Sequence, residues 1–266
     1  YLVAATIATE DKGFYSHPGF DPMGIVRAFW QNFNSGETVS GASTITQQLT
    51  RALLFGPEER VEQTYMRKVR EALLAMEVTR RYDRNQILEL YLNEVYYGNL
   101  AYGIEAAAQT YFGTSAKNLT LAQASFLAGL PQLPAVYDPY TNREAAFSRQ
   151  DDVLLLMYQA SQEQGGIFVG NNAQRLHIDP GVAALAAQDL DEYEFKLPDV
   201  QIRYPHWVNF VRSQLEKVYD PSVIYRSGFD VYTTLDPGLQ DAAQRAVSDQ
   251  IDALSGLHVT NGALVV

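Results

Sequence analysis

Helix start and stop signals punctuate the first 160 residues at short intervals, and this feature most limits what the chain can fold into. Asp21 before Pro22 is one start, because the Asp oxygen can cap free amides and Pro suits the first helical position. Behind it, "MGIVRAFWQNF" sets Val26, Phe29, Trp30 and Phe33 on one face. Thr44 with Gln47, and Thr120 with Gln123, are capping-box pairs that open "TITQQLTRALLF" and "LAQASFLAGL". Gly56-Pro57 stops the first of these, and Gly129 with Pro131 closes the second. Between them, a helix over about 61–82 carries Tyr65, Val69, Leu73 and Met76 at amphipathic spacing, and "NQILELYLNEVYYG" runs to Gly98. The expected fold is mainly α, with one helical domain over residues 1–165.

Beyond Gly165 the pattern changes. Scattered Asp, Glu and Pro in "DLDEYEFKLPDVQIRYP" read as a connecting segment over residues 166–226. Then "FDVYTTLD" alternates like a strand, "PGLQDAAQRAVSDQIDAL" like a helix and "GALVV" like a central strand. Residues 227–266 therefore read as a linker and the first elements of an α/β domain. The chain opens inside a helix-like run and ends on a strand-like one, so it is expected to be part of a longer protein with any membrane anchor upstream.

With 47% apolar residues the chain has ample material for a core. It has no cysteine, which excludes disulfides and thiolate metal sites, and its four histidines are too widely spaced to suggest metal ligands. The net charge of −11 is concentrated in the second half and argues against nucleic-acid binding. Positive charge is focused at Arg67 to Arg84, where six basic residues accompany three acidic ones.

Three stretches could carry chemistry. In "EDKGFYSHPG", Glu10 ends an apolar run beside an aromatic turn, where a partly dry wall would raise its pKa and make it a stronger base. Asp11, Phe14 and His17 could simply tie down that turn. In "RKVRE", Arg67 and Lys68 converge on Glu71. That is either a surface ion-pair ladder or a cationic cradle for phosphate in which Glu71, held ionised, orients the cations. In "GASTITQQ", Ser43 and Thr44 offer hydroxyls at a positive helix end, with Gln47, Gln48 and Arg51 behind; an ordinary cap is the alternative to an anion site. Together these parts suit transfer of a group from a phosphate ester to a hydroxyl.

"EDKGFYSHPG", "GASTITQQ", "RKVRE", "ILELYLNEVYYG" and "YFGTSAKNLTLAQASFLAGLPQLPAVYDP" occur in this order across Glu10 to Pro139. They resemble the five successive signatures of the peptidoglycan glycosyltransferases, the transglycosylase modules of class A bifunctional penicillin-binding proteins. The tail "FDVYTTLDPGLQ" is similar to the connector into the transpeptidase domain of such proteins. The resemblance implies a distantly lysozyme-like helical fold with a smaller membrane-facing lobe, to which Phe29, Trp30 and Phe33 could belong. It implies polymerisation of lipid II by inverting transfer from a lipid diphosphate to the 4-hydroxyl of the acceptor's N-acetylglucosamine, giving a β-1,4 bond.

Carried over by position, Glu10 matches the general base and Glu71 the second essential Glu. Ser43, Gln48, Arg51 and Lys68 match donor-side contacts, and Arg67 heads the same motif; moenomycin-type inhibitors would compete there. Asp11, Phe14 and His17 would brace the turn that aims Glu10. Arg51 stands where many relatives carry Lys, and Arg60 lies in a longer span between the second and third motifs. The implied partners are lipid II, the growing lipid-linked strand, the membrane surface and other cell-wall synthesis proteins, at the extracytoplasmic face of a bacterial cell membrane. No cofactor is required; a divalent cation, Mg or Mn, at the diphosphate is compatible on electrostatic grounds. No Ser-x-x-Lys occurs, so these residues hold no working transpeptidase. Two other readings share the same residues: a lysozyme-like or lytic enzyme that cleaves glycan with Glu10, and a non-catalytic scaffold that binds lipid II.

Overall fold

A computed structural model describes residues 1–24, 43–56, 59–60, 62, 64–170, 174–195, 203–215, 218, 231–257 and 259–264. The stripe of Val26, Phe29, Trp30 and Phe33 lies outside the described residues, although helical backbone does begin at Pro22. The chain divides into two compact units, Tyr1–Arg226 and Ser227–Val266.

Among the described residues, the helices of the first unit with both ends in view are α1 (Leu2–Glu10), α2 (Ile45–Leu54), α3 (Tyr65–Arg81), α4 (Arg84–Glu94), α5 (Ile104–Phe112), α6 (Leu121–Gly129), α7 (Arg143–Gln164), α8 (Pro180–Gln188) and α9 (Pro205–Leu215). Both expected capping boxes form, at Thr44/Gln47 and Thr120/Gln123, and Asp83/Gln86 forms a third. The helix expected over about 61–82 starts at Tyr65, where the Thr64 side chain accepts from the Arg67 amide as its cap.

Helix α1 is apolar nearly all round, and such a helix is stable only when enclosed. Ala4, Ala5, Ile7 and Ala8 are buried against α6 and α7, whose own core residues include Ala124, Leu127, Val153 and Met157. The small alanines let the backbones approach closely. Helix α2 packs instead on α3 and α4. Glu10, at the C-terminal end of α1, is thus delivered from the centre of one helical layer to the edge of the other.

Part of the stretch read as a connector is core. Ile167, Ile178, Ala186 and Leu190 are buried, and Phe195 joins Tyr111, Phe112, Phe126, Phe147 and Tyr193 in an aromatic cluster. Arg143 lies over the rings of Phe147 and Phe195 and donates to the carbonyls of Leu190, Asp191 and Tyr193.

In the second unit the expected helix is present as α10 (Pro237–Ala253), capped by Asp236. The two strands expected there do not form among the described residues: 231–236 and 261–264 have no strand pairing. A strand needs a ladder partner, which period-two alternation cannot supply by itself. Among the described residues, β pairing is confined to single bridges at Tyr96–Tyr102 and Ile167–Leu176.

The stripe of Tyr65, Val69, Leu73 and Met76 faces outward, with fractional exposures of 95, 53, 61 and 40%. Helix α3 buries its other face, Arg67, Glu71 and Ala75. Its apolar side is therefore the exposed one and its charged side the enclosed one.

Candidate active site

Glu10 is partly buried, and its Oε2 accepts from Gln48 Nε2 at 2.7 Å. Tyr91 in turn donates from its hydroxyl to Gln48 Oε1 at 3.2 Å, which fixes the amide so that its NH2 faces the carboxylate. Among the described residues no protein donor reaches Glu10 Oε1. Burial raises the Glu10 pKa above the ordinary carboxylate value; the Gln48 hydrogen bond and the positive charge of Arg149 oppose that rise, and Asp11 adds to it. Burial, with Glu10 close by, also pushes the Tyr91 and Tyr97 phenols well up, so both stay neutral.

The turn after Glu10 is held by side-chain contacts of its own residues. His17 Nδ1 accepts from the Gly19 amide at 3.2 Å, so the ring proton sits on Nε2, which lies 2.8 and 2.9 Å from the Asp11 carboxylate oxygens. Asp11 Oδ2 also accepts from the Ile45 amide at 3.1 Å, in the first turn of α2. Thr44 Oγ1 donates to the Gly19 carbonyl at 2.6 Å. Phe14 is fully buried, with the Arg84 guanidinium over its ring and a further Arg84 hydrogen bond to the His17 carbonyl. Gly19 has φ of +112°, and a Cβ there would meet the Ala75 carbonyl oxygen at 2.4 Å, so the turn lies directly on α3.

Glu71 is completely buried and surrounded by cations. Arg67 Nη1 donates to Oε2 at 2.6 Å, Arg51 Nη1 stands 3.8 Å from the same oxygen, and Lys68 Nζ is 3.5 Å from Oε1. Lys68 pairs with Glu71 at that longer distance and donates to Ser43 Oγ at 2.9 Å. Burial lowers the Lys68 pKa, the neighbouring Arg51 and Arg67 add to that, and Glu71 opposes it. Arg67 is also anchored to the Glu62 carbonyl. The ladder alternative fails on burial, since a surface pair would leave Glu71 solvated.

The structure thus gathers Ser43, Arg51, Arg67, Lys68 and Glu71 into one cluster, and Glu10 with Gln48 into another. Helix α2 joins them: Gln48 and Arg51 are three residues apart on the same helix, about 5–6 Å between Cβ atoms. Arg60 lies apart from both. It donates to the carbonyls of Ala52 and Phe55, capping the C-terminal end of α2.

Two neighbours of the site went unread in the sequence. Tyr91 lies in the helix read from "NQILELYLNEVYYG", where nothing gave it a role. Arg149, on α7, reaches Glu10 electrostatically from far along the chain; its Cγ would be 2.9 Å from a Cβ on Gly129, so that glycine makes its path. Among the described residues no group of three His, Asp or Glu could hold a metal ion. Glu71, the carboxylate of the cluster, is already committed to three cations.

A deep apolar helical layer ends in one raised-pKa carboxylate, and the helix that holds it also carries a member of a buried cation cluster, an arrangement suited to proton transfer beside an anionic group. The transglycosylase family profile matches residues 1–158, and the chain belongs to that family. It is 37% identical over 98% of its length to penicillin-binding protein 1A of Vibrio cholerae, covering 30% of that protein. Identity is also 37% to penicillin-binding protein 1A of Escherichia coli, over 94% of this chain and 27% of that one. Penicillin-binding protein 2D of Bacillus subtilis is 36% identical over 99% of this chain and 36% of its own. The chain therefore spans about a third of the length of these relatives.

Proposed function

We propose that the chain polymerises lipid II into β-1,4-linked glycan. The acceptor's 4-hydroxyl oxygen attacks the anomeric carbon of the donor while its proton passes to Glu10. The bond to the diphosphate breaks on the opposite side, inverting the carbon, and its electron pair leaves with the diphosphate. Arg51, Arg67 and Lys68 steady that leaving charge, with the Ser43 hydroxyl beside Lys68, and Glu71 keeps the cations together. Gln48 holds Glu10, and Asp11, Phe14 and His17 hold the turn that carries it.

The observation that carries this reading is the single turn of α2 linking Gln48, on the base, to Arg51, on the cation cluster. One helical turn thus ties the holder of the base to a cation that would face the leaving group. A glycan-cleaving enzyme would leave the cations without a function. A divalent cation, Mg or Mn, would have to be held by the diphosphate's own oxygens, because Ser43 accepts from Lys68 and Glu71 pairs with three cations.

The outward apolar face of α3, with Tyr65, Met66, Val69 and Leu73, suits contact with the bilayer surface that holds a lipid-linked substrate. Among the described residues no helix is long and apolar enough to cross a membrane. The assay is labelled lipid II followed by product sizing. Chains should lengthen with the wild type, and Glu10→Gln should reduce the rate at least a hundredfold. Shortened glycan, or full activity in Glu10→Gln, would overturn the reading.

A further inference from the structure

The turn behind Glu10 has a second face. Asp11, Phe14 and His17 point into the fold, whereas Lys12, Tyr15 and Ser16 border a cavity of about 400 Å³ completed by Gln164, Phe168 and Arg175. None of these six takes part in the transfer chemistry proposed for Glu10. Among the described residues no carboxylate lines the cavity, and Glu163 stands beside it as the partner of Lys12.

Both cations are placed but not used up. Lys12 Nζ has Glu163 Oε2 at 3.6 Å, with side chains 35 and 62% exposed, so the pair is weak and open to exchange. Arg175 passes over Gly166, which has φ of +99° and where a Cβ would lie 2.6 Å from the Arg175 Cβ. Its Nη1 donates to the carbonyls of Gln164 and Gly166, both at 3.1 Å, which fixes the guanidinium while occupying one of its three nitrogens. The apolar wall is equally fixed. Tyr15 meets Phe168 edge-on at 4.7 Å and donates from its hydroxyl to Asn85 Oδ1 at 3.1 Å, while the Phe168 ring keeps 37% exposure.

We propose that this cavity binds the carboxylate end of a short peptide, with Lys12 and Arg175 as charge partners and Phe168 with Tyr15 as the wall for its aliphatic part. Two cations and the adjacent Glu163 leave a net charge near +1, which matches one carboxylate rather than a diphosphate. The rings call for carbon next to that charge, as in a peptide terminus and unlike free phosphate. Position suggests the source: Lys12 is two residues from Glu10, at most about 7 Å of chain. A peptide stem carried by the acceptor strand is the carboxylate closest to hand, and this choice of source rests on the polymerase reading.

The test is titration of the full chain with a soluble muramyl peptide bearing a free C-terminal carboxylate, followed by calorimetry. Its C-terminal amide and inorganic phosphate are the comparison titrants. The acid is expected to bind, the amide at least tenfold more weakly, and phosphate at equal concentration not to displace it. Lys12→Gln, a part-exposed change that leaves the core intact, should weaken binding severalfold, and adding Arg175→Ala should abolish it. Glu10→Gln should bind the acid as the wild type does. Equal binding of acid and amide, displacement by phosphate, or undiminished binding by Lys12→Gln would overturn the proposal. Absence of glycan growth from lipid II would overturn the polymerase reading alone and leave the acid-against-amide comparison intact.

Discussion

Glu10 is pulled in two directions: burial favours its neutral form, while Gln48 and Arg149 favour the charged one, and burial wins. A base must be deprotonated to accept a proton, so activity should fall as pH drops through this raised pKa, above the ordinary carboxylate range. Gln48→Ala removes a contact that stabilises the carboxylate and should move the acidic limb of the kcat/KM profile to higher pH. Stability carries the opposite sign. With its folded pKa raised, Glu10 holds its proton more tightly in the folded chain, so it costs stability as pH rises from its unfolded value through its folded one. Glu10→Gln should therefore raise Tm at neutral pH, with the gain shrinking as pH falls through the raised folded value and gone below about 4.5. The prediction that Glu10 has a raised pKa was legible in the sequence, because an acid ending an apolar run must sit against a wall. That Gln48, and behind it Tyr91, would hold it was not, because those contacts span 38 and 43 residues.

At the scale of elements, α3 is organised around a buried ion cluster. Glu71→Ala would leave Arg67, only 8% exposed, without its carboxylate, and urea unfolding should register a loss of about 3–5 kcal/mol. The turn on α3 is just as confined. Gly19→Ala combines a positive φ with a 2.4 Å contact to backbone and should cost on the order of 3 kcal/mol, lowering activity because Asp11 and His17 move with it. Helix boundaries were readable at the capping boxes, where side chain and backbone satisfy each other within four residues. The start of α3 was not, because Val61, Glu62 and Gln63 are all compatible with helix and gave no sign that Thr64 would be the cap.

Across the whole molecule, exposure separates what touches water from what could touch lipid. If the outer face of α3 meets a bilayer, replacing Tyr65, Val69 and Leu73 with Ser should weaken flotation with lipid vesicles at least tenfold, while adding salt to the wild type has little effect. Persistent flotation of the triple variant would rule that face out. Amphipathic spacing established that Tyr65, Val69, Leu73 and Met76 share a face, but only the packing of α3 against α2 and the turn decided that this face points outward. The sequence by itself determined the helical class, the helix starts marked by capping boxes, and the convergence of Arg67 and Lys68 on Glu71, because all of these depend on residues within a few positions of one another. Tertiary structure alone decided the contacts of Gln48 with Glu10 and of Arg51 with Glu71, the reach of Arg149 and the burial of Ile178, Ala186 and Leu190 in the core, because each depends on contacts between segments that the chain brings together only on folding.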